Sequence, residues 1–98
     1  MALQRGLERS HLGLGRILSV KRRHVDQRRL VGQNVRRIRE KRGLTQEQFA
    51  DLSGFSQQYI SGLEQGHRNP TIVSLYELAT ALGVSHIDLV RPGRRTQR

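Results

Sequence analysis

The chain has 98 residues, enough for one small domain, and no second domain is expected. It contains 18 lysines and arginines against 8 acidic residues, a formal net charge of +10, which favours polyanionic partners, nucleic acid before an acidic membrane surface. It has no cysteine, which excludes disulfides and thiolate-bound metals, and no apolar run approaches the roughly 20 residues that span a bilayer, so we predict a soluble protein.

The positive charge is unevenly placed along the chain. Residues 1–29 hold eight basic and two acidic side chains, residues 30–43 five and one, residues 44–90 one and five, and residues 91–98 four and none. Because the interior segment is net acidic, a basic surface has to come from the first helix and the two ends. The pattern predicts a mostly disordered basic N-terminal arm at 1–29, a domain at 30–91 and a flexible basic tail at 92–98.

The first helix is predicted from Leu30. Val31, Val35 and Ile38 recur at i, i+4 and i+7, which places them on one face, and Gly43 supplies the stop.

A second, two-turn helix follows. Thr45 and Gln48 have the spacing of a capping box, Phe49 and Ala50 are expected to face inward, and Gly54 ends the helix.

The third helix has its own start signal. Ser56 is placed to cap it, and Phe55 is placed to pack on Ile60 as a hydrophobic staple. Ile60 and Leu63 form the expected buried edge, and Gly66 closes the helix.

Two more helices complete the domain. The fourth starts at Thr71 and stops at Gly83, and a short fifth is capped by Ser85 and ends at Pro92. The apolar positions of the fourth helix at i, i+3, i+4 and i+7 are Leu75, Leu78, Ala79 and Leu82. No segment alternates with period two, so we predict an all-α fold of five short helices held by mutual packing.

Only a short turn with Gly54 separates the second helix from the third, and Ala50 four residues earlier permits a close approach of the two helices. Together with "RRIREKRGLTQEQFADLSGFSQQYISGLEQG" and "RNPTIVSLYELATALGVS", this arrangement resembles the lambda-repressor-like helix-turn-helix family of phage repressors, Cro proteins and xenobiotic-response-element regulators. The resemblance covers about 60 residues and implies a compact five-helix DNA-binding domain.

The resemblance implies a DNA-reading surface on the third helix, at about residues 56–65. Its first turn would enter the major groove, with base contacts from Gln57, Gln58 and Ser61. Glutamine suits this role because its amide can donate to and accept from one adenine edge. Gly62 lies where some relatives with the same glutamine pair have a third long polar side chain, which implies fewer base contacts or a closer backbone approach.

Further matches to the family imply contacts to the DNA backbone. The residues implied to contact phosphates are Gln46, Arg39, His67, Arg68 and Asn69. Tyr59 is expected either to pack at the rim of the domain or to offer its hydroxyl to a phosphate. Arg39 also matches one half of a family ion pair with Glu64, which would link the first helix to the end of the third and is expected to be primarily structural.

Enzymatic and metal-dependent functions are disfavoured. The four histidines, at positions 11, 24, 67 and 86, lack the paired spacing of metal ligands, and no nucleophile–base pair or phosphate loop is present. We therefore expect no metal, no cofactor and no enzyme.

The favoured function is a sequence-specific DNA-binding transcriptional regulator, a repressor that binds a two-fold operator as a homodimer in the cytoplasm, on the nucleoid of a bacterium or its phage. One alternative is the antitoxin of a toxin–antitoxin pair, with a tail that binds an acidic protein partner. Another is a protein-interaction or coactivator module that keeps the fold without reading DNA. The basic arms either add phosphate contacts or serve as solubility tails.

Overall fold

The computed structural model describes residues 27–92, so nearly all of the predicted arm and tail lie outside the described residues. This part of the chain is helical and contains no strand. The helices are α1 (residues 27–41), α2 (Gln46–Ser53), α3 (Gln57–Glu64), α4 (Ile72–Leu82) and α5 (His86–Val90). The prediction of five helices is confirmed. None of the described helices is long and apolar enough to cross a bilayer.

The start of α1 differs from the prediction. Residues 27–29 are already helical, although we expected them to belong to the arm. All three side chains are exposed, so they add nothing to the apolar stripe from which the helix was predicted. A helix turn with only polar residues contributes no apolar residue at helical spacing, so periodicity does not predict it. The predicted boundary after residue 29 therefore falls inside α1.

The predicted caps of α2, α3 and α5 are confirmed, and α4 is capped in the same manner. Thr45 Oγ1 accepts from the Gln48 amide while Gln48 Oε1 accepts from the Thr45 amide, which completes the capping box of α2. The hydroxyl of Ser56 accepts from the Tyr59 amide at 3.0 Å and caps α3. Thr71 and Ser85 cap α4 and α5 in the same way. Each cap satisfies amides that the first helical turn leaves without partners.

One hydrophobic core holds the five helices together. Val35 of α1, Phe49 of α2 and Leu63 of α3 are fully buried in it. The other buried apolar members are Val31, Ile38, Ala50, Ile60, Leu75, Leu78, Ala79, Leu82 and Leu89. Since α2 to α5, with 5 to 11 residues each, are marginal alone, this shared burial supplies most of their stability.

The turn between α2 and α3 has the geometry that a helix-turn-helix requires. Gly54 has φ +81°, the left-handed region that glycine adopts without a Cβ penalty, and its N–H donates to the Ala50 carbonyl at 2.9 Å. Phe55 packs against the core and stacks its ring on Tyr59 with centroids 4.8 Å apart. The turn therefore fixes the direction in which α3 leaves α2.

A backbone contact between α1 and the end of α3 adds to the side-chain link predicted from Arg39 and Glu64, and it was not predicted. It occurs at Gly32, a buried residue inside α1. A Cβ at this position would overlap the carbonyl oxygen of Leu63 and come within 2.8 Å of the carbonyl oxygen of Glu64. Because both obstacles are backbone atoms, the absence of a side chain at Gly32 determines how closely α1 packs on α3.

A buried amide joins α1 to the end of α5. Asn34, 2% exposed, donates from Nδ2 to the carbonyl oxygens of Leu89 at 3.0 Å and Arg91 at 2.7 Å. Its Oδ1 accepts from Arg37 Nη2 at 3.0 Å. Asn34 thereby satisfies carbonyls that a helix end leaves unpaired.

Candidate nucleic-acid interface

The first turn of α3 presents two amides to the outside. Gln57 and Gln58 are the first two residues of the helix, and both side chains are exposed. Neither amide forms a hydrogen bond with another residue of the described segment, so both retain their full capacity to donate and accept. Ile60 and Leu63, fully buried on the opposite side, fix the rotation of α3 about its axis.

Ser61 lies one turn further along the same helix. It is half-buried, and its hydroxyl accepts from Gln65 Nε2 at 3.4 Å. Because a hydroxyl has a donor and two lone pairs, this bond leaves its O–H free for another partner.

A buried ion pair ties α1 to the end of α3. Arg39 Nε donates to Glu64 Oε2 at 2.6 Å and Nη2 donates to Oε1 at 3.0 Å, while Nη1 donates to the Leu44 carbonyl at 2.7 Å. Both residues are less than 10% exposed. The hydrogen bond to the Glu64 carboxylate raises the pKa of Arg39 above its ordinary value. Arg39 thus has a structural role, and its additional phosphate contact stays a prediction.

Gln46 belongs to the same network. It is the first residue of α2, half-buried, and its Nε2 donates to Glu64 Oε1 at 3.0 Å. The Glu64 carboxylate therefore receives donors from both α1 and α2 and fixes the start of α2 relative to α3. The predicted phosphate contact of Gln46 is not tested by this geometry.

Tyr59 is a fixed aromatic platform on α3. The ring is half-buried between Phe55, on which it stacks, and Arg68, whose Cζ lies 5.5 Å from the ring centroid. Burial raises the pKa of the Tyr59 phenol above its ordinary value.

The loop between α3 and α4 carries three exposed polar residues, His67, Arg68 and Asn69. The His67 N–H donates to the Gly62 carbonyl at 2.8 Å, so the loop is tied to the last turns of α3. The structure therefore brings the predicted residues together on α3, on the start of α2 and in this loop.

Sequence reasoning missed one basic residue near this surface. Arg29, assigned to the disordered arm, lies in α1 with its backbone against Gly66, where a Cβ would be 3.1 Å from the Arg29 Cα. Its exposed side chain therefore starts beside the loop that holds His67. The signal was the basic pair Arg28 and Arg29 directly before the apolar stripe, which we read as part of the arm.

Comparisons with known proteins agree with this geometry. Residues 35–89 match the family described as helix-turn-helix. The chain is 60% identical over 72 residues to an uncharacterised helix-turn-helix transcriptional regulator of Sinorhizobium fredii, with 74% of this chain and 94% of the relative covered. It is 39% identical over 54 residues to the immunity repressor of Bacillus phage phi105, with 55% of this chain and 38% of the repressor covered.

The fold is shared with a solved regulator. The restriction-modification controller protein C.AhdI from Aeromonas hydrophila superposes with a TM-score of 0.65 at 39% sequence identity, covering 67% of this chain and 96% of that protein. The matched family is one of transcription regulators rather than enzymes. The chain belongs to the helix-turn-helix family, in the lambda-repressor-like group, and is a DNA-binding transcriptional regulator.

Proposed function

We propose that the chain is a sequence-specific repressor that places α3 in the major groove of its operator. The observation that carries this proposal is the pair of exposed amides, Gln57 and Gln58, on the first turn of a helix whose other side is anchored in the core. A glutamine amide can accept from N6 and donate to N7 of one adenine at the same time, whereas a phosphate contact would use only its donor. Ser61, one turn later, adds a short hydroxyl contact.

The residues around α3 would hold the duplex in register. Donors at the start of α2 and in the loop after α3 suit phosphate oxygens, and the partial positive charge of a helix N-terminus adds to the attraction. The proposed phosphate contacts are Gln46, Arg39, Tyr59, His67, Arg68 and Asn69. These contacts position the protein and carry no base preference of their own.

We further propose that the working form is a homodimer on a two-fold operator. One domain of this size reads about half a site, and two copies spaced by roughly one helical turn of DNA, about 34 Å, form the usual arrangement. Of the six large apolar side chains that the described structure leaves exposed, Ile72, Val73 and Tyr76 lie on α4 and Ile87 and Val90 on α5. A second copy that covers them would remove this apolar surface from water.

The basic segments 1–29 and 92–98 are proposed to add phosphate contacts through counterion release, which would steepen the salt dependence of binding. A regulator of this kind would act in the cytoplasm, on the nucleoid. A protein partner bound through a tail, as in an antitoxin, stays the alternative for these segments.

The likeness to a phage immunity repressor supports repression. The likeness to C.AhdI supports a second candidate, a controller of a restriction–modification gene pair. A reporter gene placed behind the selected operator measures the sign of regulation, and repression predicts lowered expression.

Replacement of Gln58 tests the proposed reading directly. In a selection from random DNA, the Gln58→Ala variant should lose its preference at one position of each half-site by about 1–3 kcal/mol, because one bidentate base contact is gone. Gln33→Ala is the matched control, since Gln33 is an exposed glutamine on α1. An identical set of selected sequences for Gln58→Ala and the unmodified chain would reject Gln58 as a reader.

A further inference from the structure

Arg68 is the one basic residue between positions 44 and 90, so it alone supplies positive side-chain charge from α2, α3 and the loop after them. Its side chain is exposed and forms no hydrogen bond or ion pair with the residues that the structure describes. The guanidinium therefore has its donors available at the flank of α3.

The aliphatic part of the Arg68 side chain packs against a glycine of α3. Gly62 lies inside the helix without a positive φ, so its backbone conformation does not require glycine. A glycine in a helix interior costs about 1 kcal/mol relative to alanine, so its presence needs another reason. The three atoms nearest to a Cβ built at Gly62 all belong to Arg68, with Nε at 2.8 Å, Cγ at 3.4 Å and Cδ at 3.6 Å.

The head of Arg68 is also held in place. The guanidinium carbon lies 5.5 Å from the centroid of the Tyr59 ring, which itself stacks on Phe55 against the core. The backbone at the base of the side chain is fixed as well, because the His67 N–H donates to the Gly62 carbonyl. In this structure the guanidinium thus lies against the ring of Tyr59 and beside Gly62, which places its planar fork at the flank of α3.

The position of this guanidinium relative to the proposed readers is defined by the helix. Gly62 follows Gln58 by four residues and therefore lies one turn further on the same face of α3. The Nε of Arg68 lies 2.8 Å from the position that a Cβ of residue 62 would occupy. Arg68 thus occupies the place from which a third side chain of the helix would reach the groove.

We propose that Arg68 is a base-reading residue, and that its guanidinium bonds O6 and N7 of a guanine in the major groove one step beyond the contacts of Gln58. The inference rests on the proposed function and deepens it, because it replaces the phosphate contact first assigned to Arg68 with a specificity-determining one. Arginine bonded to guanine O6 and N7 is the commonest specific contact in protein–DNA complexes. Gly62 is the positioning residue that leaves room for it.

Four variants of the complete chain, each used in the same random-DNA selection, test the proposal. Arg68→Ala should lose the preference for guanine at one position of each half-site, roughly 10- to 100-fold, with the rest of the selected sequence retained. Arg68→Lys should recover overall affinity through its charge but not the guanine preference, because an ammonium lacks the planar fork. Gln33→Ala, at an exposed position of α1 outside the proposed interface, is the control and should leave every preference unchanged.

Gly62→Ala separates this role from a structural one. The three atoms nearest to the added Cβ belong to the flexible side chain of Arg68, so the variant should fold and melt no lower than the unmodified chain while losing the same guanine preference as Arg68→Ala. A melting scan beside the selection checks this readout.

The possible failures are distinguishable. If Arg68→Ala weakens binding to all sequences equally and Arg68→Lys restores it, Arg68 contacts a phosphate. That result would overturn the inference and leave the proposed function standing. A Gly62→Ala variant with an unchanged guanine preference would also overturn it. An unmodified chain that selects no sequence at all would overturn both this inference and the proposed function.

Discussion

Glu64→Ala is expected to destabilise the fold by on the order of 3–5 kcal/mol, because it leaves the buried charge of Arg39 with only the exposed carboxylate of Glu40, 4.0 Å away. Arg39 is 8% exposed and places two of its donors on Glu64, at 2.6 and 3.0 Å. The substitution also removes the acceptor of Gln46, so the start of α2 loses its tie to α3. Equilibrium unfolding in urea, followed by circular dichroism, measures the loss.

The matched control for this prediction is an exposed ion pair on the same helix. Arg36 bonds Glu40 at 3.2 Å, but both side chains are more than half exposed, so Arg36→Ala should cost less than about 0.5 kcal/mol. If Glu64→Ala were no less stable than Arg36→Ala, the Arg39–Glu64 pair would not hold α1 to α3.

Gly32→Ala is expected to destabilise the protein by about 3 kcal/mol, at the upper end of the usual cost of overpacking. Alanine in a helix interior normally gains about 1 kcal/mol over glycine. Here the new Cβ would run into the carbonyl oxygens of Leu63 and Glu64, and α1 would have to move away from α3. Urea unfolding gives the change in stability, and affinity for the selected DNA reports whether α3 is still presented correctly.

Gly62→Ala supplies the comparison for Gly32→Ala, because both replace a glycine inside a helix and only the obstacle differs. At Gly62 the obstacle is the movable side chain of Arg68, so no loss of stability is expected there. Equal stability of the two alanine variants would contradict the close packing of α1 on α3.

The helices and their starts could be predicted because their signals are local. Hydroxyl residues such as Thr45 and Ser56 cap their own helices, and the apolar period of α1 and α4 reports which face is buried. The exposed amides of Gln57 and Gln58 were also predictable, since their place in the first turn of α3 follows from its cap.

The remaining features depend on contacts between distant parts of the chain. The close packing at Gly32 depends on backbone atoms of α3, and the space over Gly62 is filled by Arg68 from the following loop, so neither role follows from the local sequence. Asn34 likewise has partners 55 and 57 residues away, which no local pattern reveals. The first turn of α1 was missed for a different reason, because its residues 27–29 bury nothing.

A crystal structure of the complete chain bound to its selected DNA tests the central claim most directly. The account predicts α3 in the major groove, with the side-chain amide of Gln57 or Gln58 within about 3.2 Å of base-edge atoms. A complex in which both amides face solvent or only phosphates, with another element in the groove, would contradict it.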